Sequence, residues 1–155
     1  MNINLCRTKL TLVKDTQVNY EVKDFQIQSP SDVADLLYNI FHLQGEMQEH
    51  FMIILLDTKN KIIGARTLFT GTLNKSLVHP RDIFATALVS SACSVILAHN
   101  HPSGDTTPSI SDINITKRIV AGGEMLGIDV LDHVIIGSNL DEDYSYLSMR
   151  EQKYI

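Results

Sequence analysis

Apolar and polar residues alternate over residues 4–13 and again over 18–27, the period of half-buried strands, with Lys14-Asp15-Thr16-Gln17 placed to join them as a hairpin. The period then lengthens. Val33, Leu36, Leu37, Ile40 and Phe41 recur at helical spacing behind Ser29-Pro30-Ser31-Asp32, where Ser29 and Asp32 are spaced as a capping box, and Gly45 offers a stop. Phe51 to Leu56 is a continuous apolar run bounded by polar residues, which predicts a strand buried on both faces. Asp57-Thr58-Lys59-Asn60 turns it into a second strand over 61–70. Pro80-Arg81-Asp82 opens a helix to Cys93 with Ile83, Phe84, Ala87, Leu88 and Ser91 on one face. A strand ending in two histidines follows, then a helix from Ser109 to Leu126 stopped by Gly127, an apolar strand from Ile128 to Ile136, and a polar, irregular tail from Ser138. Helices interleaved with strands and hairpins predict an α/β fold, a sheet of mixed direction flanked by helices.

The remaining composition narrows the setting. No repeat, low-complexity tract or linker divides the 155 residues, so a single domain over 1–155 is expected. No apolar run approaches the ~20 residues that span a bilayer. Met1-Asn2-Ile3-Asn4-Leu5 lacks the charged segment and apolar core of a signal peptide, and Cys6 and Cys93 form no CxxC pair. These features point to a cytoplasmic protein without a membrane partner. The net charge of −5 and the scatter of Arg66, Lys75, Arg81, Lys117 and Arg118 argue against a dedicated nucleic-acid binder, without excluding a local basic face.

The chemistry concentrates in His99-Asn100-His101-Pro102-Ser103-Gly104-Asp105-Thr106-Thr107-Pro108-Ser109-Ile110-Ser111-Asp112. His99 and His101 close the apolar run Ser94-Val95-Ile96-Leu97-Ala98 and project to one face of a strand. The Pro-Ser-Gly turn brings Asp112, near the start of the next helix, back over the strand end. Two imidazoles and a carboxylate are the ligand set of a catalytic zinc site with one position left for water. Ser109 and Asp112 also read as a capping box, and the two readings are compatible because a capped helix start is a rigid mount for a ligand.

A hydrolytic site needs a base, and three glutamates come into question. Glu124 lies about three turns from the helix start, too far to serve. Glu46 falls in the loop before the buried strand, whereas Glu49 sits at that strand's start and is preferred. Elsewhere, His79 reads as a structural or groove residue at a helix start, and Cys93 as a buried thiol. His133 reads as a core imidazole that could orient a ligand from behind, and Asp105 as a turn residue.

The segment H-N-H-P-S-G-D-x-x-P-S-x-x-D resembles the signature of the RadC family, within the JAMM (JAB, MPN+) group of zinc-dependent proteases. Gly71-Thr72-Leu73-Asn74, Val78-His79-Pro80-Arg81-Asp82 and Leu131-Asp132-His133-Val134-Ile135-Ile136-Gly137 are similar to the same family, so that the resemblance covers residues 46–137. It implies a JAMM/MPN-like fold with a curved mixed sheet between helices, topologically related to cytidine deaminases. It further implies zinc held by His99, His101 and Asp112, Glu49 as general base and Ser109 as a donor to the oxyanion. The implied reaction is attack of metal-bound water on a peptide or isopeptide carbonyl of an unknown protein substrate.

Asn100 stands where the wider group has Ser or Thr, and on a strand it should point away from the ligands. Residues 1–45 do not resemble the helix-hairpin-helix-like region with which longer RadC proteins are thought to contact DNA. The alternative to an enzyme is a binding module of a DNA-repair or mobile-element system with a structural or vestigial metal. The contiguous H-N-H is not the dispersed nuclease motif of that name, and the H-x-E and P-C-x-x-C of zinc deaminases are missing.

Overall fold

The computed structural model describes residues 26–71, 78–137 and 145–155. The hairpin expected over residues 4–27 lies outside this range apart from Gln26 and Ile27, as do Thr72-Leu73-Asn74. Gln26 bridges Lys61 in antiparallel fashion, and the Ile27 N–H donates to the Asn60 carbonyl at 3.0 Å.

Helix α1 spans Pro30–Asn39 and begins at the predicted capping box, with Ser29 Oγ accepting from Asp32 N–H and the Asp32 carboxylate from Ser29 N–H. It stops short of Gly45. The Ile40 and Phe41 N–H groups both close on the Leu36 carbonyl, His42 takes a left-handed φ of 52°, and Leu43–Gly45 forms one 3-10 turn. Strand β1 spans Glu49–Leu56, β2 spans Ile62–Gly71, α2 spans Pro80–Val89 and β3 spans Ser94–His101. Helix α3 covers Ile110–Leu126, β4 Asp129–Gly137 and β5 Tyr146–Ser148.

The strands form one sheet in the order β2-β1-β3-β4-β5, antiparallel at every join except the parallel β3–β4 pair. β1 and β3 are interior strands, which explains their unbroken apolar runs. One face is covered by α1, which packs Val33, Leu36 and Leu37 against Met52, Ile54, Ile96, Val134 and Ile136. The other carries α2 and α3, with Ile83, Phe84, Ala87 and Ile119 packed against Phe51, Ile53, Val95, Leu97 and Val130. Each fully buried Leu, Ile or Phe contributes about 1.5–3 kcal/mol. Among the described residues no helix is long and apolar enough to cross a membrane.

Three expectations need correction. α2 ends at Val89, four residues before Cys93, because Ser91 adopts a left-handed φ of 54° and the Ala92 N–H closes on the Ala87 carbonyl. Cys93 is therefore an exposed thiol beyond the helix, not a buried one. The tail is not irregular throughout. Tyr146–Ser148 adds β5 to the edge of β4, and Met149 just beyond it is fully buried. Asp132 anchors this end, accepting at Oδ2 from Ser148 Oγ (2.5 Å) and at Oδ1 from the Arg150 N–H (3.0 Å).

Topology positions the site. The β3–α3–β4 crossover returns α3 so that its first turn stands over the carboxyl end of β3. β1 runs antiparallel to β3, so its start lies beside the same end.

Candidate metal centre

His99 and His101 project from the last residues of β3 on the face covered by α2 and α3. One ligand atom from each, with one carboxylate oxygen of Asp112, falls within a 4.8 Å cluster. The two Nε2 atoms are 2.8 Å apart, with His99 Nε2 3.9 Å from Asp112 Oδ1 and His101 Nε2 3.8 Å from Oδ2. His99 and Asp112 are buried, and His101 is half-buried.

Asp112 holds both positions the sequence allowed it. Ser109 caps α3, its Oγ accepting from the Asp112 N–H at 3.1 Å, while Asp112 Oδ2 accepts from the Ser109 N–H at 2.7 Å. The same Ser-x-x-Asp box opens α1, but Asp32 spends Oδ2 on the N–H groups of Gln28 and Ser29 and, among the described residues, joins no group able to hold a metal. The His pair, not the box, distinguishes the two helix starts.

The turn between ligands is equally ordered. His101 Nδ1 lies 2.6 Å from the Asp105 carbonyl, which can only accept, so Nδ1 carries the proton and Nε2 faces the cluster. The Asp105 side chain takes the Thr107 N–H at 2.9 Å, as a turn residue does. Gly104 has a φ of 83° and packs against Gly137 so closely that a Cβ there would lie 2.4 Å from the Gly104 carbonyl. A bare backbone at the end of β4 is what lets the turn fold over the strand.

Charge follows geometry. Burial, reinforced by His133, holds His99 well below the ordinary histidine pKa. Burial likewise pushes His133 down to about 4. For His101 burial is outweighed by the Asp112 carboxylate 3.8 Å from its Nε2 and by the hydrogen bond to the Asp105 carbonyl, helped by the charge of Glu49, and its pKa is raised. Asp112 is held far below the carboxylate range, its own burial overcome by His101, His99 and Ser109. The result is an anion facing two imidazole nitrogens whose close approach calls for an electrophile between them. Two nitrogens and a carboxylate oxygen suit zinc among the divalent ions, so these residues fit the implied metal.

Glu49 opens β1 two residues before Phe51 and thus shares its face. Phe51 pairs with His99 across the ladder, and their rings stack at 6.1 Å and 15°. Glu49 is therefore on the ligand side and adds to the field at His101. Glu46 is engaged elsewhere, its carboxylate 3.3 Å from His50 Nε2. Glu124 lines a separate cavity of about 370 Å³ with Val120, Asp129 and Arg150.

Asn100 points away from the ligands, as predicted, and does more than fill space. The β1–β3 ladder reaches its last rung at Phe51–His99. Beyond it the fully buried Asn100 side chain makes the join, accepting from the His50 N–H (2.7 Å) and donating to the carbonyls of Gln48 (3.0 Å) and Glu46 (3.5 Å). His79 caps α2, with Nδ1 accepting from the Arg81 N–H at 3.3 Å.

A mixed sheet between helices, with two histidines at one strand end and an aspartate on the following helix, defines a JAB-type domain. The chain belongs to the RadC family, whose RadC-like JAB domain matches residues 27–154. It is similar to a UPF0758 protein of Caldanaerobacter subterraneus, 48% identical over 132 residues covering 85% of this chain and 54% of the relative. A UPF0758 protein of Clostridium perfringens is 49% identical over 132 residues (85% and 55%), and one of Shouchella clausii 48% over 128 residues (83% and 53%). The chain thus spans about half the length of these curated relatives.

Proposed function

We propose that this domain is a zinc-dependent hydrolase of the JAMM type, acting on a peptide or isopeptide bond. The observation that carries the reading is the meeting of His99 Nε2, His101 Nε2 and the Asp112 carboxylate within 4.8 Å, on the sheet face that Glu49 shares. A divalent ion held by these three groups would supply Lewis acidity to the reacting oxygens. The remaining work falls to the chain. Glu49 takes the proton of the attacking water and delivers it to the departing amine, so the water oxygen bonds to the carbonyl carbon as the C–N bond breaks. Ser109 Oγ already accepts from the Asp112 N–H, and its own proton is left to donate to the carbonyl oxygen as that atom gains charge. Asn100 fixes the backbone of the segment that carries Glu49. We place the protein in the cytoplasm, where a free exposed thiol such as Cys93 stays reduced.

Elemental analysis of the native protein beside Asp112→Ala and Glu49→Gln tests the reading, followed by a peptide and isopeptide substrate screen. One zinc per chain, lost in Asp112→Ala and kept in Glu49→Gln, with turnover abolished in both, is expected. A native protein that takes up no zinc at micromolar supply, or a zinc-loaded protein whose activity Glu49→Gln leaves untouched, overturns it.

A further inference from the structure

A line of buried hydrogen bonds runs from the ligand His99 back to the ligand Asp112. His99 Nδ1 is 2.7 Å from His133 Nε2, His133 Nδ1 is 2.6 Å from Thr116 Oγ1, and Thr116 Oγ1 is 2.6 Å from the Asp112 carbonyl oxygen. His99, His133 and Thr116 are all fully buried. Phe51 walls the line, its ring edge-on to His133 at 5.4 Å, and the Met149 sulfur closes its far side 3.7 Å from Thr116 Oγ1.

The direction of every proton along this line follows from its end. A carbonyl cannot donate, and two oxygens 2.6 Å apart repel unless a proton lies between them, so the Thr116 hydroxyl is committed to Asp112. Thr116 Oγ1 is then only an acceptor toward His133, and His133 Nδ1 must carry a proton. The ring of His133 contacts a hydroxyl and an imidazole, neither an anion (Asp132 Oδ1 accepts from its backbone N–H instead), and a second proton would make it a buried cation with no counter-ion against the ring. Its Nε2 is therefore bare and accepts from His99 Nδ1–H. That leaves His99 Nε2 bare, pointing into the cluster.

We infer that Thr116 and His133 are positioning residues that lock His99 in its Nδ1–H tautomer and so dictate that Nε2 is the nitrogen offered to a metal. Both metal-facing histidines then have their outer nitrogen pinned, His101 by a backbone carbonyl and His99 by a relay that terminates on the backbone of the third ligand. Because the relay starts and finishes on ligand residues, the first turn of α3 and the end of β3 are fixed to each other through Thr116 and His133. The inference rests on the metal-binding part of the proposed function and not on the hydrolysis.

The test is long-range ¹H–¹⁵N correlation of the imidazoles in ¹⁵N-labelled metal-free protein, joined to a competitive zinc titration of wild type, Thr116→Val and Thr116→Ser. In the wild type, His99 and His133 should both show the Nδ1–H tautomer. Thr116→Val, nearly isosteric, should convert His99 to a tautomer mixture and weaken zinc binding about tenfold or more, while Thr116→Ser retains both wild-type properties. An Nε2–H tautomer at His99 in the wild type overturns the inference. So does a folded Thr116→Val protein with unchanged tautomer and zinc affinity. The wild-type spectrum decides the proton order even if Thr116→Val does not fold. A zinc-binding protein without turnover defeats the hydrolase reading while leaving the relay standing.

Discussion

Asn100 shows how one side chain can stand in for a stretch of sheet. Its carboxamide takes over from the β1–β3 ladder just where the ladder ends, holding Glu46 to His50 by three hydrogen bonds. A serine side chain is too short to make them. Asn100→Ser should lower the unfolding free energy by about 1–3 kcal/mol through unpaired backbone groups, and speed amide exchange at His50, while zinc binding stays intact. Denaturant titration and hydrogen exchange check this, and an unchanged His50 exchange rate would refute the clamp. At this scale the sequence was most legible where spacing and chemistry coincide. His99, His101 and Asp112 stand at intervals that a strand, a turn and a capped helix convert directly into proximity. Thr116 was not legible, because a threonine one turn after Asp112 is an ordinary helix residue until the fold sets it against His133. His133 was legible as a core imidazole able to orient a ligand from behind, but not which ligand, since the partner lies 34 residues away.

Between elements, the close contact of β4 with the metal turn sets a sharp limit on substitution. Gly137→Ala places a methyl group 2.4 Å from the Gly104 carbonyl, so the turn bearing Asp105 must move and release His101. Zinc affinity should fall by at least tenfold. Gly127→Ala is the control. It sits at a φ of 68° with no atom within 4 Å of the new Cβ, so it should cost about 1 kcal/mol of backbone strain with zinc binding unchanged. Equal zinc affinities in the two variants would contradict the packing argument. Element starts were legible in the sequence because caps are local, as Ser29, Pro80 and Ser109 show. Element ends were less so. Leu88 and Ser91 fit the helical period of α2, yet Leu88 is 55% exposed, and Ser91 turns left-handed as the Ala92 N–H closes on the Ala87 carbonyl. β5 was not legible because three residues carry no period of their own, so its pairing with the preceding β4 leaves no mark in the sequence.

Across the whole molecule, the buried imidazoles tie stability to acidity. His99 and His133 both have pKa values below the ordinary 6.5, His133 at about 4, so the unfolded chain binds more protons between these values. Metal-free protein should therefore lose stability as pH falls from 6.5 toward 4, by up to roughly 3 kcal/mol from His133 alone. His101, with a raised pKa, contributes fully below 6.5 and cannot offset the loss on further acidification. Urea titrations of metal-free protein at pH 7, 5.5 and 4.5 check the sign, and a flat profile would contradict it. The burial of Met149 against Thr116 bears on the order of synthesis. A chain emerging from its amino end has offered every metal-facing residue once Asp112 is out, but the wall behind them is completed 37 residues later. Until then the imidazole pair backs onto an opening in the nascent fold, and water can compete for the groups that order its protons. Tight metal binding should therefore wait until Met149 has packed behind Thr116 and closed the chamber from behind.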